Sequence, residues 1–500
     1  MTSFYLPYLS KSKYMAGLQC LKRLYWDCFE PSLAPPLDAG TRMIFDQGTL
    51  VGELARDAFP GGVLIEDAHR HLQESAQLTK SLIADDTIPA IYEATFQFER
   101  ITILADVMEL QPDGSWRLIE VKSTTSAKEY LHADVAIQKY VLEQSGVEIS
   151  SACLMHLNRD YVYDGDKYDL NELFTIVDLT EECQRIEHSI PGQLRAHWDT
   201  LKEDSAPDVI PGKHCTEPFS CPYYEVCNPV KPKDWIGRLP GIRSTKIAQM
   251  ESQGINTIHN IPEDYSLSDR QSRACSVVGS GKPYYGNGIN TEISKLQYPL
   301  YFMDFETINP AIPMYAGLRP YSFLPFQWSV HVVNEPGNEP IHYEFLADGQ
   351  VDPRESFLSS LLDIVEQSDG HIIVYNESFE ASRLKELAMW IPGMESRLDA
   401  VLNRIWDLLK LVREHVYHPE FHGSFSLKKV LPALVPGMSY ADMAVADGGE
   451  AVIAFDQLLQ GKLPQEEVKS LRSNLLEYCK QDTLALVMLL DVLRSISTTD

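Results

Sequence analysis

Short apolar runs alternate with polar turns along the chain, and two periods recur in separate stretches. Period two, which sends alternate side chains to one face of a strand, marks 93–96, 101–110 and 116–122, with Gln111-Pro112-Asp113-Gly114 as the turn joining the last two. The same reading places strands at 301–307, 326–331, 343–346 and 372–375. A helical period predicts helices over 12–26, 45–59, 130–145, 179–201, 357–367 and 377–390, and a strongly apolar helix from Leu475 onward. Ser10 or Ser12 is available to cap the first, and the proline-rich stretch 31–36 separates it from the second. Strands and helices intermix in both halves, which predicts an α/β chain.

At 500 residues the chain exceeds one ordinary core, so two or three domains are expected. Apolar residues make up 44% of it in short, interrupted runs, and the N-terminus has neither the basic start nor the apolar run of a secretory signal. The expectation is a cytoplasmic protein with no membrane partner. Formal net charge is −28, from 71 acidic and 43 basic residues, which excludes indiscriminate coating of a polyanion. Nucleic-acid binding would have to use local basic patches and metal ions.

The first chemical signal is Tyr301-Phe302-Met303-Asp304-Phe305-Glu306-Thr307. Strand geometry turns Asp304 and Glu306 to one face, where they can share a metal ion, and burying two carboxylates is costly without such compensation. Downstream lie Ile372-Ile373-Val374-Tyr375 running into Asn376-Glu377-Ser378-Phe379-Glu380, and Tyr478 four residues before Asp482 on one helical face. In order, these pieces resemble the three motifs of the DEDD exonuclease superfamily, in its tyrosine-containing branch, with a ribonuclease-H-like fold and mixed sheet. The resemblance implies Mg(II) or Mn(II) ligation by Asp304, Glu306, Glu380 and Asp482, and orientation of the attacking water by Tyr478. Glu380 stands where that superfamily usually has aspartate. Asp399, Asp407, Lys428 and Lys429 fit the same pattern.

A second signal precedes it. Asp106 lies toward the end of an apolar strand, a turn follows, and Glu120 and Lys122 share one face of the returning strand. The next predicted helix carries Asp134 and Gln138 along one side. This looks like a PD-(D/E)xK nuclease core, with Gln138 and Tyr140 similar to the helix motif of its RecB-type branch. The resemblance implies metal ligation by Asp106 and Glu120, with Glu93 as a further ligand, and a catalytic role for Lys122. The histidine that many members carry in the preceding helix is missing, and Glu53 is the one candidate acid there.

Nine cysteines in an expected cytoplasmic chain argue against a disulfide framework. Three of them, Cys215, Cys221 and Cys227, are spaced six apart in a proline-containing stretch that suits a metal loop, and either Cys20 or His214 could complete it. The spacing resembles iron-sulfur RecB-like nucleases, including CRISPR adaptation nucleases. That resemblance implies a structural [4Fe-4S] cluster held by Cys20, Cys215, Cys221 and Cys227, with zinc as the competing occupant.

Between the two centres, Leu239-Pro240-Gly241-Ile242 and Gly254-Ile255-Asn256-Thr257-Ile258 resemble a helix-hairpin-helix unit, with Arg238, Arg243 and Lys246 as local positive charge. A two-helix linker without nucleic acid is the other reading. Gly279-Ser280-Gly281-Lys282 is not a phosphate-binding loop, since no suitable strand precedes it and Pro283 follows.

The expected organisation is a RecB-like iron-sulfur nuclease domain over 1–230, a helix-hairpin-helix-like linker over 231–275, a glycine-rich loop over 276–297 and a DEDD-type domain over 298–500. The whole resembles an uncharacterised bacterial family fusing these two nuclease types. It implies a divalent-metal-dependent nuclease acting on single-stranded DNA or RNA or on duplex ends, 3'-5' through the C-terminal domain and with a second nuclease site in the N-terminal domain. A nucleic-acid-binding scaffold with degenerate sites and a hydrolase of small phosphoesters or nucleotides remain as alternatives.

Overall fold

The computed structural model describes residues 6–228, 230–441 and 443–497. The outermost residues of the first and last expected domains, 1–5 and 498–500, lie outside the described residues. The chain is a mixed α/β protein that divides into two compact units, Met1–Val230 with Pro310–Ser322, and Lys231–Asn309 with Phe323–Asp500.

The first unit is built on a seven-stranded mixed sheet of β1 (Leu9–Ser10), β2 (Val63–Leu64), β3 (Ala90–Phe98), β4 (Ile101–Leu110), β5 (Trp116–Lys122), β6 (Ile149–Leu157) and β7 (Phe174–Asp178). Six strands run β2-β3-β4-β5-β6-β7, and β1 pairs with β4. The β4–β5 hairpin turns at Gly114, whose φ of +87° favours glycine. Parallel β5 and β6 need a crossover, supplied by helix His132–Gln144. The alternation feeding one core slips by a residue at one level of the sheet. In β4 it runs Ile103, Ala105, then Met108, and in β3 Ile91, then Ala94 and Phe96. Glu93 and Asp106 sit at the two slips, and Glu93 takes φ +58°.

Two helices expected as single pieces are broken. The first divides into Lys11–Gln19 and Leu21–Phe29 because Cys20 is extended, at φ −164° and ψ 122°. The stretch 179–201 divides into Thr180–Glu187 and Ile190–Leu201, with Pro191 in the first turn of the latter. Residues 310–322, expected within the last domain, belong to this first unit. There the Ala311 N–H donates to Gln47 Oε1 (3.1 Å), and the Tyr321 hydroxyl donates to the Ser123 carbonyl.

The second unit holds β8 (Tyr284–Tyr285), β9 (Leu300–Ile308), β10 (Leu324–Val333), β11 (Ile341–Leu346), β12 (Ile372–Val374), β13 (Ile405–Asp407) and β14 (Val416–Tyr417). Five of them form a mixed sheet ordered β11-β10-β9-β12-β13, antiparallel up to β9 and parallel beyond it. Every residue of β10 is buried, so this central strand is covered on both faces. The C-terminal helix, Gln465–Ser497, packs on β9, β10 and β11 and starts ten residues before its apolar run, with Glu466 and Glu467 favouring its first turn. At 33 residues it is about 50 Å long.

The linker region differs most from expectation. The first arm of the expected hairpin is a single 3-10 turn, Ile236–Arg238, followed by helix Ser244–Ser252 and a small core of Ile236, Met250 and Ile255. Helix Asp269–Ser280 crosses the expected boundary at 275, and the glycine-rich stretch is ordered as β8 and helix Gly288–Ile293. Gly423 is required where it stands: its φ is +85°, and a Cβ there would collide with the Arg238 carbonyl. No described helix is long and apolar enough to cross a membrane.

Candidate metal centre

Asp304 and Glu306 project from β9 on one face, and Asp482 reaches them from the C-terminal helix. One oxygen from each lies within 4.8 Å of the others, a set of three acids that could hold a metal ion. Burial and mutual repulsion push the Glu306 carboxyl up to about 8 and raise Asp304 well above the ordinary range. Asp482 rises less, to about 6, because burial is opposed by hydrogen bonds from Tyr440 and Tyr478. The Tyr440 hydroxyl donates to Asp482 Oδ1 at 2.6 Å. Lys428 lowers the cost at both Glu306 and Asp482.

Glu380 extends from helix Glu377–Trp390, is 2% exposed, and stands outside the triad. Its Oε2 is buried with no hydrogen-bond partner, and burial raises its carboxyl to about 8. An orphaned buried oxygen of this kind calls for a cation or a donor. Tyr478 is buried beside Tyr440, with ring centroids 6.2 Å apart. Asp407 accepts from the Leu409 and Asn376 N–H groups, which ties β13 to the turn before Glu380, and its charge adds to the rise of the Glu380 carboxyl.

The C-terminal helix is locked to the sheet by polar contacts that the sequence did not reveal. Gln327 Nε2 donates to the Leu475 carbonyl at 2.7 Å, while Thr483 Oγ1 meets Ser329 Oγ at 2.7 Å and His331 Nδ1 at 2.8 Å. These bonds fix the turn on which Asp482 sits.

In the first unit the expected residues converge differently. Glu120 Oε1 is 2.6 Å from Lys122 Nζ and equally close to Lys11 Nζ, and its Oε2 accepts from Gln138 Nε2 at 2.7 Å. Lys122 also pairs with Asp134 at 2.7 Å and Lys11 with Asp134 at 3.4 Å. Desolvation opposes this arrangement, yet the two ammonium groups hold Glu120 well below the usual carboxylate range. Asp106 accepts from the Val121 N–H at 2.7 Å, and burial lifts it to about 8. Gln138 Oε1 is buried without a partner. Burial also raises Glu93, which lies within electrostatic reach of Lys11 and Glu120. Glu53, weighed as a stand-in for the missing histidine, pairs instead with Arg56 at 3.8 Å.

Lys11 was not singled out by sequence reasoning, because its partners are more than a hundred residues away. The triad-type gathering of acids is absent here among the described residues. Two lysines occupy the charge-compensating role.

Cys20, Cys215, Cys221 and Cys227 all line one small cavity, together with His214, Lys22 and Arg23. Gln19 Nε2 joins the two parts of its wall by donating to the carbonyls of His214 (2.6 Å) and Phe219 (2.7 Å). The extended backbone at Cys20 thus falls where the chain turns beside the cysteine loop. Among the described residues the thiols do not gather around a single-ion point. Arg23 lies within electrostatic reach of Cys221, and Lys22 of Cys227.

Two outcomes follow from the buried acids. Because Glu306, Glu380 and Asp482 keep protons that the unfolded chain would release, the metal-free protein should lose stability as pH rises from about 4 toward 8. The depressed Glu120 acts in the opposite sense only at acid pH. Melting curves between pH 6 and 8.5 should show this fall, and Mn(II) should raise the midpoint most at the alkaline end. Asp304→Asn should melt at or above wild type without metal and show no Mn(II) shift; retention of a full shift would remove the triad as the metal site. Lys11→Met should cost about 2 kcal/mol in denaturant unfolding, less than stranding a buried charge because Lys122 remains. An unchanged midpoint would mean that Lys11 contributes nothing to the cluster.

Residues 301–426, which include all of β9 but Leu300 and the whole of helix Glu377–Trp390, match the family model described as a domain of unknown function, DUF2779. The chain is 26% identical over 215 residues to the uncharacterized protein UU173 of Ureaplasma parvum, covering 39% of this chain and 31% of that protein. It is 24% identical over 221 residues to the uncharacterized MG366 homolog of Mycoplasma pneumoniae, covering 40% and 33%. The uncharacterized MG366 of Mycoplasma genitalium is similar at 24% over 220 residues. The chain thus spans about a third of the length of these curated relatives.

Proposed function

We propose that the protein is a divalent-metal-dependent nuclease whose cutting site lies in the second unit, a DEDD-type exonuclease of ribonuclease-H-like fold. The observation that carries this reading is the triad of half-buried Asp304 with buried Glu306 and Asp482, within electrostatic reach of Glu380 and Tyr478. Asp304, Glu306 and Asp482 would hold Mg(II) or Mn(II), and the unpartnered Glu380 oxygen suits a second ion. When bound, such ions polarise the phosphodiester and lower the pKa of water.

The chain's own groups do the rest. Tyr440 holds Asp482 in its ligating orientation through the 2.6 Å hydrogen bond. Tyr478, kept neutral by its burial and then by the acids around it, would orient the attacking water. Lys428 offsets negative charge beside Glu306 and Asp482. In the hydrolysis proposed, water oxygen bonds to phosphorus and gives up a proton, the bond to the 3' oxygen breaks, and that oxygen takes a proton from solvent. The product is a nucleoside 5'-monophosphate released from a 3' end.

The first unit is proposed as a RecB-like PD-(D/E)xK domain clasped by a [4Fe-4S] cluster on Cys20, Cys215, Cys221 and Cys227. The support is the single cavity that all four cysteines line. Because Lys11 and Lys122 already neutralise Glu120 and Asp134, the first unit is proposed to position the strand rather than to cut independently.

The test uses 5'-labelled and 3'-labelled single-stranded DNA and RNA with Mg(II) or Mn(II) and anaerobically purified protein. A one-nucleotide ladder should appear with 5'-labelled strands and fall by roughly 10²–10³-fold or more in Asp304→Asn, the scale seen when a group stabilising developing charge is removed. Lys122→Ala should leave the ladder in place. No cleavage by wild type with either ion would reject the nuclease reading, and hydrolysis of mononucleotide esters without any length dependence would replace it. For the clasp, purified protein should contain iron and acid-labile sulfide, both lost in Cys20→Ser; zinc in their place would reject the cluster.

A further inference from the structure

A charged trough runs across the second unit outside the acid cluster. Its first part, about 570 Å³, is walled by Tyr375, Asn376, Phe425, Gly241, Arg270 and Arg413. The adjoining part, about 560 Å³, shares Gly241, Arg270 and Arg413 and adds Arg273. A third, about 450 Å³, shares Arg273 and continues to Lys282 and Tyr284. The shared arginines make the three depressions neighbours along helix Asp269–Ser280.

Among the described residues, Arg270, Arg273 and Arg413 have no carboxylate within 4.0 Å, although Asp269 and Glu414 stand on the same wall. Elsewhere in the unit Arg354 pairs with Asp352, Arg383 with Glu386 and Arg397 with Glu366, while Arg404 and Arg472 donate to backbone carbonyls. In a chain with 71 acidic and 43 basic residues, three guanidinium groups without a carboxylate partner gather along one trough. The stretch 231–297 that forms much of the wall carries nine Lys or Arg against six Asp or Glu, opposite in sign to the whole. Two of the three arginines lie over rings: Arg273 is 4.6 Å from the Tyr284 centroid and Arg270 is 5.9 Å from that of Phe425. Arg273 Nη1 also donates to the Arg413 carbonyl at 3.3 Å. Guanidinium forks braced in this way suit phosphate oxygens, and rings interleaved with them suit stacked bases.

We infer that this trough binds the phosphodiester backbone of a single polynucleotide strand, with Arg270, Arg273 and Arg413 as the phosphate contacts. The inference rests on the nuclease reading of the same unit and supplies the strand path that reading lacks. The trough ends at Tyr375 and Asn376, the residues that lead into the helix carrying Glu380, so a strand lying in it is directed toward the acid cluster. The contacts are to backbone and ring faces, so DNA and RNA share the chemistry. The aromatic faces and the approach to Glu380 favour a strand over an acidic protein segment.

The test is fluorescence anisotropy on the whole chain carrying Asp304→Asn, which silences cutting, titrated with labelled 20-nucleotide dT and rU strands. Each of Arg270→Gln, Arg273→Gln and Arg413→Gln in that background should weaken binding roughly fivefold to tenfold and flatten the salt dependence by about 0.7 in slope, the value for one phosphate on a single strand. The triple variant should flatten it by about 2. Arg270→Lys should keep the slope, which separates lost charge from damaged structure. Arginine variants that bind both strands like the parent would overturn the inference, as would competition by polyglutamate at equal charge concentration. If only the dT or only the rU strand responds, the shared-backbone chemistry is wrong and the inference falls with it. The readout does not depend on cutting. A chain that binds through these arginines and never cuts would sink the proposed function alone, whereas a cutting chain indifferent to them would sink the trough alone.

Discussion

Three carboxylates held within a few ångströms of one another in a buried site cannot all be ionised unless a cation joins them. Much of the second unit answers that constraint. Asp304 and Glu306 are fixed by the pleat of a strand paired along its length with β10, and Asp482 by a helix bolted to the sheet through Gln327, Ser329, His331 and Thr483. None of these elements can easily relax to separate the charges. The strain is instead met by protons, by Tyr440 and Tyr478, and by Lys428. A site that is costly when empty is one that binds a divalent ion well, because the ion removes the same repulsion that the fold cannot.

The first unit meets a similar problem with its own cations. Glu120 is fully buried yet ionised, because Lys11 and Lys122 both reach it and Gln138 satisfies its other oxygen. The two centres therefore stand in opposite states: one is a set of acids short of positive charge, the other a compensated lattice of lysines and acids. An ion entering the first would have to displace an ammonium group as well as shed its water. That difference supports assigning metal chemistry to the second unit.

The carboxylate face of β9 and the hairpin bearing Glu120 and Lys122 were legible from period two alone, since alternation depends on neighbours in sequence. Lys11 and Tyr440 were not, because each acquires its role from a partner far along the chain. Helix ends misled where a local rule was overridden: Cys20 breaks a helix with neither proline nor glycine, while its side chain faces the cysteine cavity. The glycines of 276–297 suggested a loop, yet Gly281 merely terminates a helix in the left-handed conformation. The slip at Glu93 and Asp106 was invisible for a different reason. A one-residue shift on both paired strands leaves each sequence looking regular.

The large negative charge need not conflict with a polyanionic substrate, because net charge and local field are separate quantities. Acids spread over the surface repel a strand approaching at random, and at physiological salt that repulsion fades within about 8 Å. Inside a walled trough, unpaired arginines act at contact distance, where screening is least effective. A chain of this kind would bind a strand only where the arginines line up with its phosphates, and would let it go elsewhere. For the exonuclease proposed above, which would have to release each shortened product, weak general affinity combined with a cationic path is a workable arrangement. The same acidity that argues against coating nucleic acid therefore argues for a confined route to the acid cluster.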